Sequence, residues 1–93
     1  MVVGVCSIDL RIPGNDSLKG KRHVIRKIKD RVKHQFNVSI AEVEDLDTLQ
    51  RAGLGIAVVS NDSSHVHSTL SKVVGFIEHM YVAEILEYHI EVW

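Results

Sequence analysis

The chain has one cysteine, Cys6. A lone thiol excludes an internal disulfide and any four-cysteine zinc or iron–sulfur site. Cys6 sits in an apolar, β-branched stretch, where a buried, inert thiol is expected. Long hydrophobic runs are also missing. The N-terminus has no basic region followed by a long apolar segment, and no segment is long enough to cross a bilayer. Neither a signal peptide nor a membrane partner is expected, and a cytoplasmic location is the default. There is no internal repeat, low-complexity tract or interdomain linker. The 93 residues are therefore read as one domain, residues 1–93. The formal net charge is only −1, so any strongly charged surface is local. No nucleophile with an oxyanion donor set and no glycine-rich phosphate loop is present. Catalysis and a cofactor are not expected.

What the chain does have is one concentrated block of positive charge. From Lys19 to His34 there are eight Lys or Arg and one acid, Asp30; from Gln35 onward two bases, Arg51 and Lys72, face nine acids. The block lies in Ser17 to Asn37, most of which reads as one amphipathic helix. Ser17 is the candidate N-cap. Val24, Ile28 and Val32, with Ile25 beside them, make an apolar stripe at helical period. Arg22, Arg26, Lys29 and Lys33 fall at i, i+4, i+7 and i+11 and form a second stripe, placed roughly opposite the first. Phe36 is expected to close the core. Gly20 stands where a capping box wants Glu or Gln. Its presence implies a soft first turn or a backbone that approaches something closely. A helix selected only for solubility would mix signs to gain i, i+4 pairs. This one repels itself and projects a field that attracts phosphates or acidic surfaces.

The remaining segments read as strands around two helices. Val2 to Ile12 is a long strand with Val2, Gly4, Cys6, Ile8, Leu10 and Ile12 on one face. Pro13 to Asp16 is a turn. Val38 to Asp45 is a second strand, with Ala41 and Val43 toward the core and Glu42 and Glu44 away from it. Leu46 to Gly53 is a connector with a short helical turn near Asp47 to Gln50. Leu54 to Ser60, apolar on both faces, suits a central strand. Asn61-Asp62 caps a second helix whose stripe is Val66, Leu70, Val73 and Ile77. Val82 to Trp93 is the last strand, with Ile85, Glu87, His89, Glu91 and Trp93 on one face. The order β-α-β-β-α-β predicts an α+β, ferredoxin-like fold: a four-stranded antiparallel sheet with both helices on one face.

Three stretches together resemble a known family. They are Ser17-Leu18-Lys19-Gly20-Lys21-Arg22, then Phe36-Asn37-Val38-Ser39-Ile40-Ala41-Glu42-Val43, then Leu54-Gly55-Ile56-Ala57-Val58-Val59-Ser60-Asn61-Asp62. In that order they are similar to the YlxP-like family of small uncharacterised bacterial proteins, over nearly the whole chain. The resemblance implies a ferredoxin-like fold. It also implies work on RNA or the ribosome, because the family's gene lies in many bacteria beside that of ribosome-binding factor A. The family brings no catalytic residues. Gly20 departs from its pattern, which has an acidic residue there.

The candidate nucleic-acid or anion site is therefore Lys19, Lys21, Arg22, Arg26, Lys29 and Lys33. The segment Ser17 to Arg22 could cradle a phosphate at the helix N-terminus, and the stripe could track a phosphate backbone without reading bases. The sheet is not expected to stack bases. An RNA-recognition motif needs aromatics where this chain has Val3, Val5, Ser7, Gly55, Ala57 and Val59. His65 and His67, two apart on a helix, diverge, so no metal site is expected. Val59, Ile85 and Trp93 are candidate self-association contacts on the uncovered sheet face, implying a homodimer. Partners are thus RNA or a ribosomal subunit. The alternative is an interaction or self-associating module whose basic helix docks an acidic surface. Fold analogy alone adds a small-molecule regulatory domain.

Overall fold

The computed structural model describes residues 1–93. The elements are β1 (Val2–Arg11), α1 (Leu18–Gln35), β2 (Ser39–Glu44), β3 (Arg51–Ser60), α2 (Ser63–Glu78) and β4 (Glu84–Val92). The four strands form one antiparallel sheet in the order β2-β3-β1-β4, the ferredoxin-like arrangement. β3 and β1 are central, as the doubly apolar Leu54 to Ser60 stretch requires.

Alternation in the strands decides what is buried. Cys6, Ile8, Leu10 and Ile12 pack with Leu54, Ile56 and Val58 on the helix side of the sheet. Onto them α1 lays Ile25, Ile28 and Val32, and α2 lays Val66, Leu70, Val73, Val74 and Ile77. Each such side chain contributes about 1.5–3 kcal/mol on leaving water. Gly4 is where α2 comes closest. A Cβ there would lie 2.2 Å from Val66 Cγ1 and 2.9 Å from Leu70 Cδ1. Phe36 ends α1 edge-on to Phe76 of α2, with ring centroids 5.5 Å apart.

Three sequence expectations need correction. In β2 the parity is reversed from Ile40 to Val43, and a bulge before Glu44 returns that residue to the open face, as expected. Ile40 is the buried residue, Glu42 points to the helix side, and Ala41 and Val43 lie exposed on the open face. In β4 a bulge opposite Asp9 and Leu10 shifts the register, so that Ile85 pairs with Leu10. Ile85 therefore packs against the core and leaves the open face to Glu87, His89, Glu91 and Trp93. β3 begins at Arg51, three residues early, and the connector turns over Asp45 to Thr48, with the Thr48 N–H donating to the Asp45 carbonyl at 3.0 Å. Asp45 takes φ 58°, a left-handed conformation that short polar side chains tolerate.

Candidate nucleic-acid interface

The start of α1 is built as expected and tied down more firmly. Ser17 Oγ accepts from the Gly20 N–H at 3.0 Å. Gly20 is there for space: a Cβ would come within 2.5 Å of Asn15 Oδ1. Asn15 in turn donates through Nδ2 to the carbonyls of Ser17 at 2.8 Å and Leu49 at 2.6 Å. The loop before α1 and the β2–β3 connector are thereby one joined end of the molecule.

Lys21 completes that join and leaves the candidate site. It is 1 % exposed, the only charged residue in the buried interior. Its Nζ donates to the carbonyls of Asp45 and of Thr48, the latter at 2.8 Å, and stands 2.9 Å from Glu42 Oε2. Two of the three ammonium protons go to the carbonyls. Oε2 is held as a close charge contact, without an aligned hydrogen bond. The expected phosphate cradle at Ser17 to Arg22 is correspondingly smaller. Lys21 faces inward, and the Gly20 N–H is taken by Ser17.

The signal for this was in the spacing. Lys21, Ile25, Ile28 and Val32 fall at i, i+4, i+7 and i+11, and they are the four buried residues of α1. The parity of β2 followed from the same fact, since Glu42 is the partner that a buried ammonium on this face requires.

The other cations of α1 remain available. Lys19, Arg22, Arg26, Lys27, Arg31 and Lys33 are exposed and Lys29 is half-buried. None of them has a carboxylate within ion-pairing distance; the ion pairs of the molecule are Lys21–Glu42 and His89–Glu87. At about 100° per residue the stripe Arg22, Arg26, Lys29 and Lys33 lies some 100° from the buried stripe. It occupies a flank of the helix, which corrects the expectation that it lies opposite the core. The half-burial of Lys29 agrees with that placement. Lys33 shows which flank it is, because it lines one groove together with Val38 and Ser39, and α1 packs beside β2. A band of charge therefore runs beside the β2 edge. Lys19 and Lys27 extend it over the outer ridge.

Asp30 stands on the outer ridge of α1, at i+4 from Arg26, and most other acids lie elsewhere. Glu44, Asp9 and Glu87 share one row of the open sheet face, Glu91 lies further along it, and Glu84 sits at the end of β4 beside Arg11. His89 Nε2 and Glu87 Oε1 are 3.0 Å apart in solvent. Glu42, expected with them, is on the far side of the sheet. No three His, Cys, Asp or Glu side chains gather as a metal-binding set. Burial pushes the Cys6 thiol up to about 11. Asp62, the cap of α2, is held below the usual carboxylate range by the Ser64 hydroxyl, then by the Ser64 and His65 backbone. Of the expected self-association contacts, Val59 and Trp93 are on the open face, 61 % and 70 % exposed, and Ile85 is not. No helix is long and apolar enough to cross a membrane.

A family model described as "Protein of unknown function (DUF503)" matches residues 3–90. The chain is 39 % identical over 77 residues to the "Uncharacterized protein YlxP" of Bacillus subtilis (strain 168), covering 83 % of this chain and 84 % of that one. Among solved structures it is similar to a C-terminal segment of the alpha subunit of aIF2 from Pyrococcus abyssi. That match has TM-score 0.57 and 13 % identity, over 92 % of this chain and 50 % of the other. It is also similar to the de novo designed protein LFR1 1 with ferredoxin fold, with TM-score 0.53 and 16 % identity over 100 % and 83 %. At these identities the structural likenesses show the fold alone.

Proposed function

The chain belongs to the DUF503 family and is similar to YlxP of Bacillus subtilis, and we propose that it is a non-enzymatic cytoplasmic protein that binds RNA or a ribosomal particle through α1. The observation that carries this reading is the unneutralised flank of α1. Arg22, Arg26, Lys29 and Lys33 stand side by side with no carboxylate within ion-pairing distance and Asp30 the one acid of the helix, in a chain whose net charge is −1. Such an arrangement costs stability through self-repulsion and is useful where a polyanion supplies the missing charge. The band has no aromatic among its cations, so its contacts are to phosphate and carry little base specificity. The rigid end made by Asn15, Ser17 and Lys21 holds the helix start in place, so Lys19 and Arg22 meet a ligand without a prior ordering step.

The test reverses charge in mid-band. Arg26→Glu/Lys29→Glu changes one exposed and one half-buried side chain, outside the core. Its melting temperature should stay close to wild type, while affinity for total bacterial RNA and for small ribosomal subunits is lost. Unchanged affinity would reject the reading. Binding of a purified acidic protein with no binding of RNA would assign the band to a protein partner instead.

A further inference from the structure

α1 carries cations on both of its flanks, and the band beside β2 accounts for only one of them. At about 100° per residue Lys27 and Arg31 lie about 110° from the buried stripe, on the side away from Arg22, Arg26, Lys29 and Lys33. That side is the one toward α2, because the band lies along β2 and α1 packs beside both. Lys27 and Arg31 are exposed and form no ion pair. Asp30 stands on the ridge between the two rows, about 70° from one and about 80° from the other. A helix with its side chains is about 10–12 Å across, so the rows are roughly 10 Å apart.

We propose that α1 lies along the minor groove of double-stranded RNA, with one cation row on the phosphates of each strand and Asp30 accepting from a 2′-hydroxyl between them. This names the ligand of α1 more closely and rests on the RNA reading of that helix. Shape selects the ligand by elimination. Two rows of cations match two ridges of phosphate, and a single strand has one. Single strands are also held on aromatic platforms. Phe36 is packed edge-on against Phe76, and the exposed rings of His23 and His34 are about 16 Å apart along the helix, too far for successive bases to stack on both. The minor groove of B-form DNA is about 6 Å wide, too narrow for both rows. Its major groove is wide enough but about 8.5 Å deep, and α1 cannot sink into it, because α2 packs at its side in the same layer. The major groove of A-form RNA is deep and narrow, whereas its minor groove is wide, shallow and lined with 2′-hydroxyls. α2 leaves the second strand room: its exposed middle carries His67, Ser68, Ser71 and Lys72, and its acids, Asp62 and Glu78, stand at its ends. Asp30 then has a chemical role. A carboxylate repels phosphate, but it accepts strongly from a hydroxyl that DNA lacks.

The probes are an RNA duplex of about 16 base pairs, the DNA duplex of the same sequence and one RNA strand alone, each titrated by fluorescence anisotropy at the same low salt. The RNA duplex should bind about tenfold or more tighter than either of the others. Lys27→Glu/Arg31→Glu changes only exposed side chains and should keep the wild-type melting temperature while RNA-duplex affinity falls by about tenfold or more. Asp30→Ala should lower the ratio of RNA-duplex to DNA-duplex affinity by about threefold or more, although it removes a repulsive charge. Equal affinity for the RNA duplex and either other probe overturns the proposal, as does a Lys27→Glu/Arg31→Glu variant that binds like wild type; the α1 reading survives both results. A ratio that Asp30→Ala leaves unchanged overturns the contact to the 2′-hydroxyl. Failure of all three probes to bind defeats the α1 reading itself, and this inference with it.

Discussion

Replacing Lys21 with alanine removes a charge that three groups converge on. The Glu42 side chain is 14 % exposed and would keep its carboxylate with no counter-charge. Breaking a buried pair from one side costs about 3–5 kcal/mol. The carbonyls of Asp45 and Thr48 lose a donor as well, but both residues are exposed and water replaces it. The lower figure, about 3 kcal/mol, is therefore the better estimate. A domain of this length has a total stability of roughly 5–14 kcal/mol. The melting temperature should fall by about 12 °C or more. With a urea slope near 1 kcal/mol/M, the midpoint should fall by about 3 M. Lys19→Ala, on the exposed side of the same turn, is the control and should shift neither value. Lys21→Met/Glu42→Leu should recover most of the loss, because two apolar side chains of similar volume need no partners. If Lys21→Ala unfolds like Lys19→Ala, the buried lysine is not the tie that holds the β2–β3 connector to α1.

Other expectations concern the rest of the fold. Cys6, raised to about 11 by burial, should resist iodoacetamide at pH 8 in the native protein and react once urea exposes it. Asp62 has a folded pKa below its ordinary value, so its carboxylate contributes stability at neutral pH that is lost as pH falls through the folded value. Asp62→Ala should accordingly melt below wild type at pH 7, and the difference should close in strong acid. Gly4→Ala should destabilise by about 1–3 kcal/mol in urea titrations, since the new methyl meets Val66 and Leu70 of α2.

Most of the architecture was legible in the residues. Cys6 to Ile12 alternates cleanly, and Val66, Leu70, Val73 and Ile77 repeat at helical period, so β1 and α2 lie where pattern places them. What misled was local. In Ile40-Ala41-Glu42-Val43 both parities carry an apolar pair or half-pair, and the apolar count favours the wrong one. Only the partner of Glu42, twenty-one residues earlier on a helix, decides it. By charge Lys21 resembles one more surface cation, although its position continues the stripe of Ile25, Ile28 and Val32. The bulge that turns Ile85 inward has no glycine or proline at Glu84 to Glu87 to announce it. It is a property of pairing with β1 and not of the β4 sequence. The candidate site was legible as composition, eight bases against one acid. Its geometry was not, because the angle between the band and the core depends on which residues are buried.

The measurement that bears most directly on the proposed role is affinity for bacterial RNA and for small ribosomal subunits across a salt series. Four phosphate contacts from Arg22, Arg26, Lys29 and Lys33 should give a log–log slope of about −3, a loss of roughly 50-fold between about 50 and 200 mM salt. Arg26→Glu/Lys29→Glu should flatten that slope by at least about 1.4. A steep linear slope that the variant flattens is the result expected of a phosphate-binding helix flank. Absence of binding at low salt, or a slope the variant leaves unchanged, would contradict it.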